Sequence, residues 1–149
     1  MGTPRAAPVE TLRRWLAAIF AIGAVGAEAE LLLLKHWADP WQLIPIILLP
    51  AALLVLGWHA WSKSGRALAT FRAIMLLFVA SCAAGILLHY RGDVEWKLEG
   101  DPSLQGFALL KAAVRGAIPL LAPGAMLQLG LLGLALTWRY PTQPTTAEE

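Results

Sequence analysis

The chain has 149 residues, 58% of them hydrophobic and only 15% charged, with a net charge of +2 and a pI near 9.0. Soluble domains carry about a quarter charged residues; this composition therefore excludes an ordinary soluble domain, and so small a net charge leaves no electrostatic footprint for nucleic acid. The single cysteine, Cys82, excludes an internal disulfide and any multi-cysteine metal or haem-attachment motif.

A membrane-spanning helix needs ~20 apolar residues to cross a ~30 Å hydrocarbon core. Four stretches qualify, at residues 15–34, 41–58, 70–88 and 118–138. The sequence predicts an all-α polytopic membrane protein over residues 1–140, with four transmembrane helices in one bundle. An outer loop with a short interfacial helix is expected over 89–117 and a disordered polar tail over 141–149.

The first stretch contains two carboxylates, Glu28 and Glu30. At 100° per residue, Ala17, Ala21, Ala24 and Glu28 share one stripe, while Gly23, Gly26, Ala27 and Glu30 cluster nearly opposite. Small residues let helices approach closely, so both stripes are expected to face protein, leaving Ile19, Ile22 and Leu33 to lipid. The two carboxylates stand ~200° apart and so serve no common proton or ion. At ~1.5 Å per residue from Leu34, Glu30 lies ~6 Å and Glu28 ~9 Å inside the outer edge. Glu30 is thus within reach of interfacial water, Lys35 or Arg91, and Glu28 is the deeper group. The same segment also fits a secretory signal, with Arg13-Arg14 before an apolar run and a small-residue cleavage pattern at Val25-Gly26-Ala27. The resumption of apolar sequence at 31–34 favours a span instead.

The second helix opens on Asp39-Pro40, an N-cap followed by proline at the first helical position. Within it Pro50 deprives the Ile46 carbonyl of its helical donor and is expected to break the helix. The third stretch carries Ser81 and Cys82. Beyond it, Arg91-Gly92-Asp93 reads as a turn, and residues 94–99 alternate apolar and charged side chains as an extended segment does. After Asp101-Pro102-Ser103, Phe107, Leu110, Val114 and Ala117 recur at helical spacing, as in an interfacial helix. The fourth stretch is interrupted by Pro123-Gly124, a second expected break, and carries Gln128.

Four polar positions at membrane depth are candidate site residues: Glu28, Glu30, Ser81 and Gln128. Glu28, Ser81 and Gln128 are expected to converge beside the backbones loosened by Pro50 and by Pro123-Gly124, either as a structural hydrogen-bond cluster or as a polar cavity for a proton, cation or small solute. His36 and His89, at the outer ends of their helices, are weak candidates for metal or haem, and His59 lies at the inner end of the second helix. No cofactor is expected, and no phosphate loop, nucleophile elbow or metalloprotease motif supports an enzyme.

Arg5, Arg13, Arg14, Lys63, Arg66, Arg72 and Arg139 fall on one side of this topology and outnumber the basic residues opposite, which places both termini in the cytoplasm. Trp15, Trp58, Trp61 and Trp138 then mark the inner interface, and Trp37, Trp41 and Trp96 the outer one. The leading expectation is an accessory or interaction subunit of the plasma membrane, of bacterial inner-membrane type. Its partners are the lipid bilayer and a protein partner or second copy, met through helix faces or the loop 89–117. The alternative is a small transporter or channel component using Glu28 and Gln128, and the third a haem- or metal-binding protein.

Overall fold

The computed structural model describes residues 6–116 and 122–140. They form five α-helices: α1 (Ala6–Leu33), α2 (Leu43–Ser62), α3 (Gly65–Gly100), α4 (Gly106–Val114) and α5 (Gly124–Leu136). No strand occurs among the described residues. Among the described residues three segments are long and apolar enough to cross a membrane: Pro8–Leu33, Pro40–Ser62 and Gly65–Gly100. The tail 141–149 and the first residues of the expected fourth span, with Pro119, lie outside the described residues.

Local sequence explains the helix starts. Asp39 caps a short 3-10 turn, Pro40–Gln42, that runs directly into α2. Its carboxylate accepts from the Trp41 N–H at 2.9 Å, and the Gln42 side chain accepts in return from the Ala38 and Asp39 N–H groups at 2.9 and 3.3 Å. This reciprocal capping box satisfies donors that a bare helix end leaves orphaned. Lys63, at φ 50°, ends α2 in the left-handed region, and Ser64 caps α3 by accepting from the Arg66 and Ala67 N–H groups. Pro50 does not end α2: the helix continues unbroken across it to Ser62. Its ring removes a single internal hydrogen bond, and the flanking Leu49 and Ala52 are fully buried, which holds the helix in register.

The largest departure from expectation is α3. Residues 94–99 are helical, not extended, and Arg91-Gly92-Asp93 is part of the helix, not a turn. An isolated strand leaves its ladder hydrogen bonds unmade, whereas a helix satisfies its own. The Val-Glu-Trp-Lys-Leu-Glu run is also rich in strong helix formers, and Glu95 and Glu99 project outward, exposed. The 36 residues of α3 extend ~54 Å, well beyond a ~30 Å hydrocarbon core.

The expected helix after Ser103 is present as α4, which packs against α3 through the buried Ala113. Phe107, Leu110 and Val114 form an exposed apolar stripe along it. Gly116, just beyond α4, lies so close to the fully buried Asp93 that a Cβ there would overlap the carboxylate. A turn at Ala122-Pro123 precedes α5, which begins at Gly124 and whose 13 residues reach only ~20 Å; the part of the expected span before this turn, 118–121, lies outside the described residues.

The core gathers around α3, which touches α2, α4 and α5, while α1 packs on α2 and α5. Phe20 of α1 meets Phe71 edge-on at 5.4 Å and Phe78 at 6.4 Å. Leu49, Met75, Cys82, Leu129 and Leu136 complete the buried cluster. All seven tryptophans are exposed, as interfacial anchors require. In α1, Ala24 is buried and Ala17 and Ala27 pack on the core, while Ile19, Ile22 and Leu33 face outward as expected. Gly26 and Glu30, expected to face protein, are exposed as well.

Candidate functional site

Two contacts set the register of α1 against α5. Arg13 donates through Nη2 to the carbonyls of Trp138 and Arg139 at 3.2 and 3.0 Å, and a Cβ on Gly23 would stand 3.0 Å from Leu129. The helices are antiparallel, and Glu28 falls level with the start of α5, where no side chain caps the first turn. A carboxylate is favoured near such an end, because helix N–H groups point outward there. Glu28 is partly buried, and its Oε2 is shielded from solvent with no hydrogen-bond partner among the described residues.

The expected polar cluster does not assemble. The Ser81 hydroxyl donates to the Phe78 carbonyl of its own helix at 2.8 Å. Gln128 is exposed on the outer side of α5, whose inner side carries the buried Met126, Leu129, Gly130 and Gly133. Glu28 bonds neither residue, and Glu30 is exposed on α1. Helical periodicity places Gln128 relative to its own neighbours but does not say which of several apolar faces α5 buries.

At the same end as Glu30, His36 and His89 come near enough for their charges to interact. Among the described residues no group of three His, Cys, Asp or Glu side chains is placed to hold a metal ion. His36 lies in the turn between α1 and α2, and its pKa is lowered from 6.5 by burial and by the charge of His89. A lowered histidine pKa means that the folded state resists protonation. Stability is therefore unaffected above pH 6.5 and declines as pH falls through the lowered folded value. In an NMR titration the His36 imidazole is expected to titrate below 6.5, and His89→Gln to move it part of the way back. An unmoved midpoint in that variant would disprove the coupling.

The opposite end holds a constellation that the sequence reading did not anticipate. There the carbonyls of the turn that ends α5 accept from two guanidiniums: Arg72 of α3 donates to Thr137 O, and Arg13 of α1 to Trp138 and Arg139. Cations at a helix C-terminus satisfy orphan carbonyls and offset the negative end of the dipole. Arg13 also lies 4.7 Å over the Tyr140 ring, and the same ring meets His59 of α2 edge-on at 4.8 Å. Between them is a cavity of about 140 Å³, lined by Arg13, Arg14, His59, Lys63, Thr137 and Tyr140, among others. His59 is only 7% exposed, with the Ser64 backbone near its ring, and neither ring nitrogen makes a close hydrogen bond among the described residues.

The shared side of Arg13, His59, Lys63 and Arg72 is readable from the alternation of spans. Their convergence on one cavity depends on which helices are neighbours, which periodicity does not encode. Comparison with protein families, curated proteins and solved structures found no match to this chain.

Proposed function

We propose that the chain is an accessory, non-enzymatic membrane subunit that acts by presenting a helix face to a partner helix. The outward placement of Gln128, midway along α5, carries this reading. A primary amide facing hydrocarbon leaves two donors and an acceptor unmet, and a partner helix supplies them, at ~1–2 kcal/mol in model helices. The exposed Gly26 and Glu30 on α1 give a second outward position where a small residue adjoins a polar one. The excess of Arg and Lys at the cavity end supports a cytoplasmic location for both termini, in a membrane of bacterial inner-membrane type.

Gln128→Leu is expected to weaken association by roughly tenfold, read by single-molecule photobleaching of labelled chain in bilayers. Wild-type chain that stays monomeric both in native membranes and after reconstitution would refute the reading.

The unpartnered Glu28 Oε2 favours a second reading, a small transporter or channel component. Gln128 faces away from the packed side of α5, so this reading rests on Glu28 alone. It predicts proton or cation flux in reconstituted vesicles that falls at least ~10-fold in Glu28→Gln, the size expected when an essential titrating group is removed. Equal background flux in both proteins would eliminate it.

A further inference from the structure

The cavity at the arginine- and tryptophan-rich end is used by neither reading above, and it is a built site. Three cationic side chains, Arg13, Arg14 and Lys63, line it against one carboxylate, Glu10. Glu10 is engaged at the rim by Arg14, at 3.5 Å. Both hydrogen bonds of Arg13 leave from Nη2, so its Nε and Nη1 donors have no hydrogen-bond partner among the described residues. His59 lines the same wall with two buried ring nitrogens, neither in a close hydrogen bond among the described residues although the Ser64 backbone is near, and a neutral imidazole always presents one donor and one acceptor.

Each class of occupant can be weighed on these contacts. A cation meets three like charges. An apolar group suits Leu56, Phe71 and Leu136 on the same lining but leaves a buried His59 nitrogen and the cationic groups without acceptors, which is costly for buried polar atoms. An oxyanion accepts from the imidazole N–H, from Arg13 and from Lys63 together, through charge-assisted bonds. At about 140 Å³ the cavity has room for several waters of ~30 Å³ each, and so for a tetrahedral oxyanion.

We propose that this cavity binds a phosphate group. The neighbouring Trp15, Trp58, Trp61 and Trp138 are exposed, as they would be at headgroup level. A phospholipid phosphodiester and a soluble phosphate therefore both have access to the same contacts.

The test uses the full-length chain in a phosphate-free maltoside detergent, with ¹⁵N-labelled histidine. Inorganic phosphate is titrated against chloride at matched ionic strength. Separately, phosphatidylglycerol is compared with a galactosyl diacylglycerol that lacks phosphate, using native mass spectrometry to count retained lipid. A saturable shift of the His59 ring nitrogens with phosphate, or selective retention of phosphatidylglycerol, is the expected result. A response to both probes identifies a pocket open to soluble phosphate, and a response to the lipid alone identifies a headgroup site.

Arg14→Gln combined with Lys63→Gln alters exposed side chains and is expected to weaken binding roughly tenfold or more. His59→Phe keeps the ring against Tyr140 but removes both nitrogens, and should weaken it likewise. Arg66→Gln, exposed and outside the cavity, should bind as wild type. The proposal fails if chloride reproduces the shift, if neither probe is bound, or if the double variant binds unchanged.

Discussion

Replacing Gly130 with alanine is expected to push α5 away from α3 and to destabilise the fold by about 1–3 kcal/mol, the usual range for overpacking a filled core. The added Cβ would sit 2.9 Å from the Met75 carbonyl oxygen, 3.0 Å from Val79 Cγ2 and 3.1 Å from Phe78 Cβ. The first of these is backbone within α3 and has no rotamer by which to withdraw. Gly133, three residues on, is similarly seated against Met75 and the Phe71 ring, so small residues spaced like this bring the two backbones together. Gly26 is the internal control. It is exposed, with nothing within 4 Å of its would-be Cβ, and Gly26→Ala should be neutral or gain up to ~1 kcal/mol from helix propensity. Unfolding by SDS titration of mixed micelles reads both variants, and equal stability of the two would remove close approach as the basis of α3–α5 packing.

A loss of about 1.5–3 kcal/mol is expected for Arg72→Met, the range for hydrogen bonds to charged groups. The guanidinium donates to the carbonyl of Thr137, a residue only 3% exposed. Methionine matches the apolar stem but removes the charged donor, leaving that oxygen only the Tyr140 N–H at 3.2 Å. The Thr137 hydroxyl offers no substitute, since it already donates to the Gly133 and Leu134 carbonyls at 3.1 Å each. Arg72→Lys, which retains charge but not the planar fork, should fall between the two. A methionine variant as stable as wild type would mean that the Arg72 contact contributes nothing to holding α5.

The same particulars show how far the sequence speaks. The apolar runs and the Asp39-Pro40 start were legible because both are local: run length and cap chemistry involve neighbouring residues. The alternation over 94–99 misled because a period of two is informative only when a partner strand exists to take up the ladder. In α5 the apolar side chains surround the whole helix, so no stripe marked the buried face. Glycines chose it instead, and Gln128 was left outside. The cavity beside His59 was the least visible feature, because its walls come from residues more than a hundred positions apart that meet only when α1, α2 and α5 are packed.

The length of α3 has a further consequence. Arg72 and Asp93 both turn into the fold, one toward α5 and the other toward Gly116, and they are separated by ~32 Å of continuous helix. That interval closely matches the hydrocarbon thickness of a typical bilayer. A helix does not stretch, so these two residues act as fixed marks on a gauge. In a bilayer thicker than the gauge the lipid must thin around the protein, and in a thinner one α3 must tilt and carry α4 with it. Because α4 packs on α3, membrane thickness would then set the orientation of α4 as well.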